Sequence, residues 1–84
     1  MSPAPPIGRL VLSVPELSGN HSKVAIILAL AAFDQVDGID VNMRSRQVLV
    51  ELSDPVDEEE LVAAVRAEGY FCTVLERFLP TPTG

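Results

Sequence analysis

The stretch HSKVAIILALAAFDQVDGIDVNM, residues 21–43, decides the fold, because the spacing of its apolar side chains changes partway along. From Val24 to Phe33 every residue is apolar, and Ile26 and Leu30 have the separation that places side chains on one face of a helix. In its second half Ile39 and Val41 alternate with polar residues, which is the period of a strand. A helix followed closely by a strand is therefore the predicted central unit.

Alternating apolar residues predict two further strands, one on each side of this unit. Upstream, Leu10, Leu12 and Val14 occupy every second position until Pro15 ends the pattern. Downstream, a short turn leads into the apolar run at 48–50. Because this turn is so short, we expect the second and third strands to form a hairpin.

A second helix and a fourth strand complete the predicted fold. Asp57 and Glu60 have the spacing of a capping box, which opens a helix, and Gly69 ends that helix. The fourth strand is predicted from Tyr70 to about Arg77. The order βαββαβ, with right-handed crossovers, predicts an α+β ferredoxin-like sandwich: a four-stranded antiparallel sheet with both helices on one face.

Length, composition and charge limit the classes of protein that fit. The 84 residues suffice for one domain, predicted at 9–78, and the Pro-, Ser- and Thr-rich ends at 1–8 and 79–84 are expected to be flexible. A net charge of −6 argues against nucleic acid and anionic membranes as partners. The single cysteine excludes a disulfide-stapled domain, and no signal peptide or membrane span is recognisable, so we expect a cytoplasmic protein.

The apolar positions also share one register with a known family. Heavy-metal-associated (HMA) domains, which include copper chaperones, carry Val-x-Gly-Met-x-Cys-x-x-Cys after the first strand and Val-x-x-Ala-Leu in the first helix. They continue with Gly-Val-x-x-Val-x-Val and close with Ala-x-x-x-x-Gly-Tyr. The chain resembles this family without a gap over roughly residues 9–76, which implies the same fold and a relation to copper-trafficking proteins. The matching positions are Val14, Leu17, Ile26, Ala29, Leu30, Val36, Ile39, Val41, Ala64, Gly69 and Tyr70.

The chain departs from the family at the metal-binding loop. Gly19 and Ser22 occupy the two cysteine positions, and Glu16 replaces a loop glycine. Cu(I) prefers soft thiolates, whereas glycine has no side-chain ligand and a serine hydroxyl is hard and protonated. We therefore expect no resident metal, beyond weak binding of Cu or Zn. The degenerate loop and the corner near it comprise Leu17, Ser18, Gly19, Asn20, His21, Ser22 and Tyr70.

Two other residues are candidate metal ligands. His21 lies where some family members have a histidine, and Cys72 follows the Gly-Tyr corner that approaches the metal loop in this family. The alternative is a solvated histidine in the first helical turn and a cysteine in the core. Cys72 and the apolar Val74 are two residues apart on the predicted strand, so their side chains would face the same, buried side of the sheet. Both interpretations remain open. Nothing in the sequence supports catalysis, since there is no second histidine to pair with a nucleophile, and we predict that the chain is not an enzyme.

The first helix has a second apolar face that the fold does not require. Val24, Ile27, Leu28 and Ala31 are spaced for one stripe opposite the side expected to face the sheet. Unless the second helix and the chain ends cover this stripe, a protein partner or a second copy must do so. Ile27→Glu is expected to block such pairing without disturbing the monomer.

These patterns lead to one predicted function and one alternative. The prediction is a protein-interaction module related to copper-trafficking proteins, acting through its first helix as a complex or homo-oligomer. The alternative is a metal carrier or sensor that uses His21, Cys72 or a partner's ligands in place of the lost cysteines.

Overall fold

The computed structural model describes residues 8–54 and 56–78, which follow the order βαββαβ. The elements are β1 (Gly8–Ser13), α1 (Gly19–Ala31), β2 (Val36–Asn42), β3 (Gln47–Leu52), α2 (Glu58–Ala67) and β4 (Thr73–Phe78). The strands form one antiparallel sheet in the order β2-β3-β1-β4. The predicted ferredoxin-like fold, with two helices packed on one sheet, is confirmed.

The core lies between the sheet and the helices because every second residue of the central strands faces them. Leu10 and Leu12 of β1 pair with Val50 and Val48 of β3, and all four are fully buried. Residues facing each other across an antiparallel pair share one side of the sheet, so the two strands form one apolar surface. The complete buried core consists of Leu10, Leu12, Val14, Leu17, Ile26, Leu30, Val48, Val50, Leu52, Leu61, Val65 and Cys72.

The helix termini differ from the predicted ones in local detail. α1 begins at Gly19, two residues before His21, where the quoted helical stretch begins, because the loop before it already forms a hydrogen-bonded turn. α2 is capped by Asp57 as predicted, but its carboxylate accepts the N–H of Glu59 at 3.0 Å and not that of Glu60. Gly69 ends α2 with a φ of +95°, a conformation that glycine adopts without strain.

Two strands also begin elsewhere than expected. β2 begins at Val36, before the predicted Ile39, with a register shift in its pairing to β3 between Val36 and Gly38. β4 begins at Thr73 and not at Tyr70, because side chains bind the backbone of the intervening residues. Both β2 and β4 are edge strands.

The chain ends predicted to be flexible lie outside the described residues, apart from Gly8, which opens β1. Within 8–54 and 56–78, no helix has the length and apolar character needed to cross a membrane.

Candidate functional site

The loop between β1 and α1 is closed by the side chain of Ser22. Its hydroxyl oxygen accepts the N–H of Ser18 at 2.9 Å. The same hydroxyl donates to the carbonyl oxygens of Ser18 and Gly19, with oxygen–oxygen distances of 2.6 Å and 3.0 Å. Only 3% of Ser22 is exposed, whereas Ser18 and Gly19 are exposed, so these contacts are partly shielded from water. The serine at the second cysteine position thus holds the loop to the first turn of α1.

This closure takes the place of an ordinary helix cap. Ser18 occupies the N-cap position with an extended backbone, but its own side chain makes no capping hydrogen bond. Ser22, one turn later, satisfies the backbone of Ser18 instead. Gly19 adopts a φ of +73°, and nothing lies within 4 Å of the position that a Cβ would take there. A side chain at Gly19 would therefore have space but a strained backbone.

The remaining loop residues divide into one anchor and two exposed positions. Leu17 is 1% exposed and joins the core, and its N–H donates to the Val14 carbonyl at 2.9 Å. Asn20 and His21 are exposed in the first turn of α1. The loop is therefore fixed on its inner side by Leu17 and presents its polar residues outward.

A second set of contacts ties the loop to the corner between α2 and β4. The Glu16 carboxylate accepts the N–H of Phe71 at 2.9 Å, across 55 residues of sequence. The Arg66 guanidinium lies 5.4 Å from the centroid of the Phe71 ring and donates to the Cys72 carbonyl at 3.2 Å. Tyr70 is half-buried against the core. Sequence reasoning missed the role of Glu16, although its replacement of a family glycine was the available signal.

The candidate metal ligands sit in contrasting environments. His21 is exposed, whereas Cys72 is fully buried in the core. Burial raises the pKa of the Cys72 thiol, and the charge of Arg66 lowers it by a smaller amount. The thiol is therefore protonated at neutral pH, and it would have to lose its proton to bind a metal or act as a nucleophile.

The loop does not fit a metal ion as it is built. Gly19 supplies no donor, and the Ser22 hydroxyl is engaged with the backbone. Across the described ranges, no three His, Cys, Asp or Glu side chains are grouped so that they could share a metal. Ser18, Gly19 and Ser22 are thus joined by hydrogen bonds of the Ser22 hydroxyl, without a ligand set.

The outward face of α1 is the most apolar exposed feature of the described helices. Val24 is 52% exposed, Leu28 is 65% exposed, and Ala31 is also exposed. Ile27, in contrast, is half-buried and lines a groove between α1 and β2. The expectation that Ile27→Glu leaves the monomer undisturbed stays a prediction, but because Ile27 is half-buried, a charge there does not probe the outward face alone. Leu28 is the residue at which a charge tests the outward face alone.

Replacing Ser22 by alanine is expected to lower the free energy of unfolding by about 1–2 kcal/mol, because the Ser18 backbone loses its shielded partner. Ser53→Ala is the matched control, since the exposed Ser53 hydroxyl makes one longer bond, 3.3 Å, to the Gln35 carbonyl. Urea denaturation of both variants measures the difference. Equal losses would show that Ser22 does not hold the loop.

The fold relates the chain to solved metal-trafficking domains. It is similar to the CopZ metallochaperone, with 32% identity, a TM-score of 0.72, and coverage of 77% of this chain and 98% of that one. The N-terminal domain of PacS from Synechocystis PCC6803 has 25% identity and a TM-score of 0.70, with 81% and 97% covered. The yeast copper transporter domain Ccc2a, solved in apo and Cu(I)-loaded states, has 17% identity and a TM-score of 0.77, with 82% and 96% covered. Ccc2a has also been solved in the Atx1–Cu(I)–Ccc2a complex.

Comparisons of the sequence with family models and with curated proteins identify no relative. The structural likeness extends over nearly the whole CopZ chain, at 32% sequence identity. The chain therefore belongs to the heavy-metal-associated domain family, as a copper-chaperone-like member with Gly19 and Ser22 at the two cysteine positions of the loop.

Proposed function

We propose that this chain is a protein-interaction module of the metal-trafficking type, which acts by contacting another protein through α1. The observation that carries the proposal is the exposure of Val24 and Leu28 on a helix that already buries its opposite side in the core. Burying a large aliphatic side chain contributes about 1.5–3 kcal/mol when the burial is complete, so covering this face favours association. The Atx1–Cu(I)–Ccc2a complex supports the proposal, since it shows a domain of this fold bound to a partner protein.

The loop supports a role without a metal of its own. Its second cysteine position is occupied by a hydroxyl that bonds the backbone, and its first by a glycine. The alternative is a Cu or Zn carrier or sensor that uses His21, Cys72 or a partner's ligands, and Cys72 can take part only if it leaves the core. We propose no catalytic role. The cytoplasmic location stays a prediction.

The proposal is tested by site-specific photo-crosslinking in cells of the source organism. A photoreactive residue at position 28 is expected to give a discrete adduct with one protein, because this position lies on the exposed face of α1. The same residue at position 63, exposed on α2, is the matched control and is expected to give none. Mass spectrometry identifies the adduct. An absence of protein adducts at position 28, or the same adduct from both positions, would contradict contact through α1.

A further inference from the structure

The exposed face of α1 continues into an apolar groove. α1 and the edge strand β2 enclose a groove of about 280 Å³. Its lining residues are Ile27, Ala31, Val36, Asp37, Gly38 and Ile39. Ile27 and Ala31 belong to the same helix face as Leu28, so the groove and the exposed stripe form one surface, here called the α1–β2 surface. Such a surface has room for side chains inserted by a partner.

The rim of the α1–β2 surface is acidic. The last turn of α1 contains no basic residue, so the negative end of its helix dipole is not compensated there. Asp34 follows the helix, and Asp37 at the start of β2 lines the groove, both of them exposed. The basic side chains of α1, His21 and Lys23, lie in its first half. A negative potential is therefore concentrated at one end of an apolar surface.

The shape of the surface favours a helix over a strand as its occupant. An added strand would have to pair with the edge of β2, but the register of β2 shifts between Val36 and Gly38 and its edge carries charged residues. Bulges and charges of this kind oppose edge pairing. On α1, Val24, Leu28 and Ala31 form a ridge at helical spacing, which suits packing against the apolar face of another helix.

The charge of the surface favours a basic partner over a second copy. A second copy brings the same net charge of −6 and, in a two-fold pairing, the same acidic patch. A helix with lysine or arginine beside its apolar face would instead meet Asp34 and Asp37 with opposite charge. We infer, resting on the proposed function, that the α1–β2 surface docks a basic amphipathic helix of a partner protein.

The inference is tested with two designed helical peptides, one of leucine and lysine and one in which glutamate replaces every lysine. NMR amide shifts of the full 84-residue chain report where each peptide binds. The lysine peptide is expected to shift signals of α1 and β2, and the glutamate peptide to bind at least about tenfold more weakly. Asp34→Asn with Asp37→Asn is expected to weaken the lysine peptide about three- to tenfold. Glu59→Gln with Glu60→Gln, an equal charge change at exposed positions on α2, is expected to leave its affinity unchanged.

Three outcomes would overturn the inference. The first is equal affinity for both peptides at α1, which would leave contact through α1 standing but remove the basic partner. The second is binding of the lysine peptide at the acidic first turn of α2. The third is sedimentation of the free chain as a dimer that Leu28→Glu dissociates, since a second copy would then be the occupant. Circular dichroism verifies that each variant is folded.

Discussion

Replacing both Gly19 and Ser22 by cysteine is expected to create a Cu(I) site that resists a competing chelator, whereas the natural chain holds none. Two thiolates on one loop match the soft character of Cu(I), and the gain in affinity should be at least about a thousandfold, or about 4 kcal/mol. The space around a Cβ at Gly19 is open. The φ of +73° at that residue costs about 1–2 kcal/mol for any other side chain, which is small beside the gain.

Titration with Cu(I) in the presence of a chelator, on monomeric protein, measures this effect. The single variants Gly19→Cys and Ser22→Cys are the controls and should bind far more weakly than the double variant. A double variant that folds but stays metal-free would show that Glu16 holds the loop in another shape, and Glu16→Gly added to it would test that cause. Stoichiometric binding by the natural chain would instead support the carrier alternative, with His21→Ala and Cys72→Ala locating the ligands.

Leu30→Glu is expected to unfold the chain, whereas Leu28→Glu, two residues earlier, is expected to change the free energy of unfolding by no more than about 0.5 kcal/mol. Leu30 is fully buried and Leu28 is 65% exposed. An unpaired carboxylate in the core costs more than about 4 kcal/mol, which is most of the stability of a domain this small. At Leu28 the carboxylate stays in water, and glutamate and leucine have similar helix propensities.

Circular dichroism and urea denaturation of the two variants compare the two faces of α1 directly. Leu28→Ser, which removes apolar surface without adding a charge, separates the effect of charge from that of shape. If Leu28→Glu also unfolds the chain, then the outward face of α1 is packed within the monomer. That result would contradict the proposal that α1 contacts a partner through this face.

The order of the elements and the buried side of α1 were predictable because both follow from short-range periodicity. Ile26 and Leu30 repeat every four residues and are both fully buried, as expected. The first residue of β2 was not predictable from alternation alone. Val36 belongs to the strand, but the pairing with β3 is irregular between Val36 and Gly38, and this irregularity interrupts the alternation. That early start brings Val36 into the groove beside Ile27, which explains why Ile27 is less exposed than its position on the helix indicated.

The closure of the loop depends on contacts that no pattern of hydrophobicity contains. The Ser22 hydroxyl bonds backbone atoms one turn away, and the sequence showed only that a sulfur was missing. The bond from the Phe71 N–H to Glu16 joins residues 55 apart, so no local sequence pattern reveals it. Sequence reasoning therefore located the degenerate loop but not the interactions that stabilise it.

The bond between Glu16 and Phe71 joins the two repeated βαβ halves of the chain, since Glu16 belongs to the first half and Phe71 to the second. Any outward movement of the loop must therefore either break this bond or carry the corner before β4 with it. When the bond breaks, the Phe71 amide proton becomes free to exchange with solvent, since Glu16 and Phe71 are both exposed. A single backbone proton in one half thus reports the motion of the loop in the other.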